Sequence, residues 1–189
     1  MNDPKVALFD MDGTLCDYVG SLKRDLEKLR APDEAIVDPF KVNGPQYQHI
    51  WNRMDLIKAD EKWWANLPKL QLGYDVLKMT NKLGYYNEVL TQGPKKNPAA
   101  LAGKLTWLIN NIEEDIDYTM TRNKGRHYGR VLVDDFPDYA LTWLTHRKNG
   151  LVIMPSNEYN AGFKHPQVIL YNGRNKEEVR DGLVDALNR

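Results

Sequence analysis

The sequence predicts an α/β protein, a parallel sheet covered on both faces by helices and interrupted after its first strand by a helical insertion. Three observations carry this expectation. Short, nearly continuous apolar runs recur along the chain, as they do in strands buried on both faces. Segments of helical periodicity alternate with those runs, the rhythm of repeated strand-helix units. Residues 18 to about 72 break the rhythm: they are polar, aromatic and rich in helix formers, and hold no convincing strand.

In chain order, VALF at 6–9 is the first strand expected, followed by the insertion. YDVLKMTNKLG at 74–84 has helical spacing and stops at Gly84, a residue suited to a helix end. NEVLT at 87–91 is the second strand, and NPAALAGKLTWLINN at 97–111 a crossover helix. IDYTM at 116–120 and VLV at 131–133 are further strands, and DYALTWLTHRKNG at 138–150 a second crossover helix. LVIM at 151–154 and QVILY at 167–171 complete the sheet. The expected division is a core of residues 1–17 and 73–189 with a helical cap at 18–72.

Composition narrows the function. A chain of 189 residues can bury a proper core as one domain with an insertion. Lys+Arg and Asp+Glu are both 26, so no net charge draws the molecule to nucleic acid or a membrane surface. The N-terminal MNDPK and the few apolar residues after it make neither a signal peptide nor a spanning segment. The single cysteine, Cys16, excludes an internal disulfide framework and fits a reducing compartment, so a cytoplasmic location is expected. Its reading is a small packing residue. The four histidines lack metal-ligand spacing, which speaks against zinc. RNKGRHYGR at 122–130 reads as a solvated loop, not a nucleic-acid patch.

The chemistry concentrates in LFDMDGTLCD, residues 8–17, where the first strand stops at two carboxylates one residue apart. In an open parallel sheet, ligands bind beyond the carboxyl ends of the strands, which is where Asp10 and Asp12 fall. Gly13 permits a tight turn, and Thr14 can hydrogen-bond a carboxylate. Two carboxylates this close require either a retained proton or a neutralising cation. A proton supplies a general acid, and a hard cation such as Mg²⁺ suits carboxylate and phosphate oxygens. Taken alone, DxDG has a second, less favoured reading as a strand-ending turn that uses Asp and Gly for local backbone reasons.

LFDMDGTLCD resembles the first motif of the haloacid dehalogenase superfamily of phosphotransferases. The later motifs follow in order at strand ends: VLTQGP with Thr91, TRNK with Lys124, and VLVDD with Asp134 and Asp135. TRNK, whose Lys124 lies ten positions before Asp134, resembles the lysine motif of the 5′(3′)-deoxyribonucleotidases, and the aromatic cap stretch and the NGRNKEEVRDGL tail have counterparts there. Two positions depart from that branch: Gln92 stands where Ser is common, and Asn123 replaces an Asp.

The resemblance implies a Rossmann-like core with a small helical cap. It makes Asp10 the nucleophile and Asp12 the general acid/base. Mg²⁺ would be held by Asp10, the backbone carbonyl of Asp12, and Asp134 and Asp135, with Asp135 favoured as the direct ligand. Lys124 and Thr91 would hold the phosphoryl group beside Gln92. Tyr18, Trp51, Trp63 and Trp64 are the candidate substrate contacts of the cap; each tryptophan is equally a glue for a small helical unit. Asp138 reads as the start of a helix in preference to a residue supporting the metal site, and Asn157 as either a cleft residue or ordinary loop polarity. The implied function is Mg²⁺-dependent hydrolysis of deoxyribonucleoside monophosphates. The alternatives are another small phosphomonoester, a polynucleotide 3′-phosphate, or a noncatalytic module that keeps the fold. No membrane or nucleic-acid partner is expected, and a homodimer is compatible with the resemblance.

Overall fold

The computed structural model describes residues 5–112 and 116–189, so the first residues of the expected core lie outside it. Six parallel strands form one sheet: β1 (Val6–Phe9), β2 (Tyr86–Gln92), β3 (Asp117–Thr121), β4 (Val131–Val133), β5 (Leu151–Pro155) and β6 (Val168–Tyr171), in the order β3-β2-β1-β4-β5-β6. Chain order therefore reverses direction between β1 and β4, the kind of switch point beyond whose carboxyl ends open α/β sheets bind ligands.

Alternation along the strands builds two cores. Val6, Leu8, Leu90, Leu132, Val152 and Met154 point to one side, where they pack with Ala140, Trp143 and Leu144 of α6 (Pro137–Leu144). The intervening Ala7, Phe9, Val131, Val133 and Ile153 are buried as well. On that side α4 (Gln71–Lys82) and α7 (Lys176–Asn188) pack against the sheet and each other. Burial on both faces holds for β1, β4 and β5, but not for the two edges. β3, expected to be buried, exposes Asp117 and Tyr118 because only β2 flanks it; β6, at the other edge, is half-buried.

Helix ends follow local chemistry. α4 stops at Lys82 with Gly84 at φ 78°, the left-handed cap that glycine adopts without strain. α6 ends at Leu144, six residues short of the expected Gly150. The chain after it turns under Gln167, whose Nε2 donates to the carbonyls of Arg147, Lys148 and Gly150, and under Arg147, which donates to the His127 carbonyl. Those carbonyls are taken out of any helical ladder.

The chain groups into two compact units, one containing the sheet with α4, α6 and α7, the other Asp17–Pro68 together with the segment of α5 (Pro98–Asn111). The insertion is helical, as expected: α1 (Tyr18–Lys28), α2 (Gln48–Lys58) and the short α3 (Glu61–Ala65). Asp17 caps α1 by accepting the Gly20 N–H at 2.8 Å, and Leu22, Ile50 and Met54 form the centre of a small core. α5, expected as a crossover helix of the core, packs on α3 through Gly103, where a Cβ would come within 2.4 Å of the Glu61 carbonyl oxygen. Among the described residues no helix is long and apolar enough to cross a membrane.

Candidate active site

Sheet register brings the first acids together. Phe9 pairs with Val133, and the Asp10 N–H donates to the Val133 carbonyl at 2.8 Å, so Asp10 and Asp134 leave adjacent strands side by side. After Asp10 the chain wraps around Met11, whose carbonyl accepts the N–H groups of Leu15 and Cys16, both at 2.9 Å. Gly13 turns at φ 79°. The loop is backed by α4, where Gly73 is obligatory: a Cβ there would lie 2.0 Å from the Thr14 carbonyl oxygen.

Lys124 enters from a single 3₁₀ turn, Lys124–Arg126, after β3. Gly125 lets that turn lie against Thr142 of α6, and Tyr139 of the same helix places its ring 4.6 Å from the Lys124 ammonium. The ammonium, almost fully buried, reaches Asp10 Oδ1 at 2.8 Å and Asp134 Oδ2 at 2.7 Å. The Asp10 contact is an ion pair at 2.8 Å, and Asp10 Oδ1 has no other hydrogen-bond partner among the described residues. Asp134 is completed by the Phe136 N–H on Oδ1 at 2.9 Å.

Asp135 is half-buried and held from two sides. Asn157 Nδ2 donates to its Oδ2 at 2.8 Å, and the Thr14 hydroxyl lies 3.5 Å from its Oδ1. One oxygen from each of Asp10, Asp134 and Asp135 lies within 4.8 Å of the others. Burial pushes the Asp134 carboxyl up to about 6, against the Lys124 ammonium and with the Asp10 charge. Burial, then Asp134 and Asp10, raise Asp135 well above the usual carboxylate range. Burial opposes the charge on Lys124, but Asp10 and Asp134 outweigh it and keep the lysine protonated. Three carboxylates clustered around one ammonium make a donor set that fits a hard divalent cation.

Thr91 and Gln92 end β2 at the same edge of the sheet, Thr91 buried and Gln92 partly exposed. Asp12 follows Asp10 by two residues; its Oδ1 lies 3.9 Å from the thiol of Cys16, which is fully buried as a packing residue should be. Asp138 is exposed in the first turn of α6, the helix start expected of it.

Tyr18, Trp63 and Trp64 form one aromatic cluster in the second unit. Tyr18 stacks on Trp64 with centroids 5.4 Å apart and meets Trp63 edge-on at 5.9 Å. Both indole N–H groups are used inside the unit, Trp63 on Asp25 Oδ2 at 2.8 Å and Trp64 on the Lys58 carbonyl at 2.9 Å. Trp51 packs at the edge of the core of that unit. The sequence reading passed over Lys104, a lysine 2% exposed on α5 with its ammonium 5.2 Å from the Trp64 ring centroid. Its signal was a lone Lys inside an otherwise apolar helix. Asn160 was also missed: it is 1% exposed and donates to the carbonyls of Asp135 and Pro155 at 2.9 and 2.8 Å.

No family model matches the chain, and no curated protein sequence does. Solved structures match throughout its length. A haloacid dehalogenase-like hydrolase from Burkholderia xenovorans LB400 is 14% identical with a TM-score of 0.53, covering 97% of this chain and 98% of its own. A HAD hydrolase of family IA, variant 3, from Entamoeba histolytica is 14% identical with a TM-score of 0.56, covering 98% and 100%. A HAD family hydrolase from Deinococcus radiodurans R1 with bound phosphate and sodium is 11% identical with a TM-score of 0.51, covering 97% and 96%. The fold is that of these haloacid dehalogenase-type proteins.

Proposed function

We propose that the protein is a Mg²⁺-dependent phosphomonoester hydrolase that works through an aspartyl-phosphate on Asp10 and acts on deoxyribonucleoside monophosphates. The observation that carries this reading is the Lys124 ammonium set between Asp10 and Asp134 at 2.8 and 2.7 Å, beside Asp135 and two residues from Asp12. The Deinococcus structure holds a bound phosphate, which supports a phosphorylated substrate for this fold.

Asp10 attacks phosphorus: its carboxylate oxygen forms the new P–O bond while the bond to the leaving oxygen breaks. Asp12 gives that oxygen its proton, then takes one from the water that displaces Asp10 and releases phosphate. Lys124 holds Asp10 in place through the 2.8 Å ion pair, and its charge with Thr91 stabilises the phosphoryl oxygens. Asp10, Asp134, Asp135 and the Asp12 carbonyl would hold Mg²⁺, which supplies positive charge against the repulsion between an anionic nucleophile and an anionic substrate. The aromatic cluster headed by Tyr18 supports a substrate with a stackable base. The cytoplasm is the proposed location, where deoxynucleotides are made and consumed.

Hydrolysis of a generic aryl phosphate with and without Mg²⁺ tests the chemistry, and a panel of 5′- and 3′-deoxynucleotides, ribonucleotides and sugar phosphates tests the substrate. No Mg²⁺-dependent hydrolysis of any of them removes the catalytic reading. Equal use of nucleotides and sugar phosphates removes the nucleotide.

A further inference from the structure

We infer that Asn157 is a positioning residue for Asp135: a neutral donor that holds one oxygen of that carboxylate and leaves the other for a divalent cation. The inference rests on the phosphatase reading only in taking the cation to be Mg²⁺.

The direction of the amide is fixed by its other contacts. Asn157 Oδ1 accepts the N–H groups of Tyr159 at 2.8 Å and Asn160 at 3.1 Å, and two donors demand an oxygen. Nδ2 is therefore the end that meets Asp135 Oδ2 at 2.8 Å. The turn that carries it is locked in its own right. Asn160 Oδ1 accepts the Asn157 N–H at 2.9 Å, and its Nδ2 ties the carbonyls of Asp135 and Pro155 together. Main chain and side chain of Asp135 are thus both held by one loop at the end of β5. On the other side, the Thr14 hydroxyl is at the limit of hydrogen bonding to Oδ1, so that oxygen is the weakly held one.

Charge explains why an amide serves. With all three carboxylates ionised, as ligation of a cation requires, Asp10, Asp134 and Asp135 against Lys124 leave two negative charges, which a divalent cation balances. A lysine in place of Asn157 would orient Asp135 equally well and cancel one of them; an amide stabilises the carboxylate without competing for it.

The test is calorimetric titration of Mg²⁺ into the full-length protein without substrate, for wild type and Asn157→Ser. A serine hydroxyl can cap the same turn but is too short to reach Asp135. A purely loop-building Asn157 therefore predicts unchanged affinity, whereas the positioning role predicts Mg²⁺ affinity weaker by about tenfold to a hundredfold. Equal affinities overturn the inference and leave the phosphatase reading standing; no Mg²⁺ binding by wild type overturns both. Should the variant not fold, the side-chain amide resonances of Asn157 in wild type decide. They should move on Mg²⁺ addition, and their constancy through saturation overturns the inference.

Discussion

A Cβ on Gly13 would lie 2.4 Å from Asp135 Oδ2, so the glycine of the first loop is the space into which the acid after β4 folds. Gly13 is therefore needed twice, for its φ of +79° and for the carboxylate it admits. Gly84 separates the two requirements: its φ is +78°, yet nothing lies within 4 Å of a Cβ there.

Gly84→Ala should cost about 1–2 kcal/mol in chemical unfolding, the strain of the left-handed region, and leave kcat/KM unchanged. Gly13→Ala carries the same strain and must also displace Asp135. We expect a larger loss of stability and a fall in kcat/KM of about a hundredfold or more. Equal activity in the two variants would show that the Gly13–Asp135 approach does not matter to turnover.

Asp10→Asn should abolish turnover while the fold persists, because the amide occupies the same space but cannot attack phosphorus. A loss of several powers of ten in kcat is the expected scale for a missing covalent nucleophile. More than a few per cent of residual activity would assign the nucleophile elsewhere. Asp12→Asn should instead spare substrates with good leaving groups relative to poor ones, a comparison that isolates its proton.

These residues were legible because strand endings leave a strong local trace: VALF stops at Asp10 and VLV at Asp134, and parallel register does the rest. Gly73 was not legible, since its reason is the Thr14 carbonyl oxygen, far away in sequence. Asn157 read equally well as loop polarity, and only its three hydrogen bonds, one of them to Asp135, distinguish it. β3 looked like a buried strand because its apolar content says nothing of its place at the edge. The grouping of α5 with α3 depends on Gly103, a residue that in sequence is only a weak spot in a helix.

Lys124→Met would leave Asp10, Asp134 and Asp135 clustered without their buried ammonium. At pH 8 without Mg²⁺ the variant should lose about 3–5 kcal/mol, the usual cost of stranding buried charge. The Asp134 carboxyl already lies at about 6 in the folded wild type, above its unfolded value of 3.8. The folded state thus binds more protons than the unfolded one in this window, and stability from this group falls as pH rises through it. Losing the ammonium raises the carboxyls further, so the deficit should shrink as pH drops from 8 towards 5. Added Mg²⁺ at pH 8 should recover part of it. Urea unfolding across this range checks both, and a deficit independent of pH would mean that charge is not its cause.

What the second unit contributes is open to a substrate comparison. If the substrate is a nucleotide, its base is recognised by stacking, while its phosphate is held by the strand-end acids and Lys124 whatever is attached to it. Tyr18 stacks on Trp64 at 5.4 Å, and neither Trp63 nor Trp64 has an indole N–H to offer, since Asp25 and the Lys58 carbonyl already take them. Tyr18, the ring that follows the Asp10–Asp12 loop in sequence, is the member of the cluster on which a base contact is expected to depend. Tyr18→Ala should raise KM for a deoxynucleoside monophosphate over that for an aryl or sugar phosphate by about 1–3 kcal/mol, roughly tenfold to a hundredfold. Tyr18→Phe keeps the ring and should keep the preference. Trp63→Ala breaks the Asp25 hydrogen bond and thins the core of the unit, so it should lower stability and weaken all substrates alike. If Tyr18→Ala instead weakens nucleotide and small phosphate equally, and wild type shows no preference between them, the nucleotide reading falls while the phosphatase chemistry of Asp10 stands.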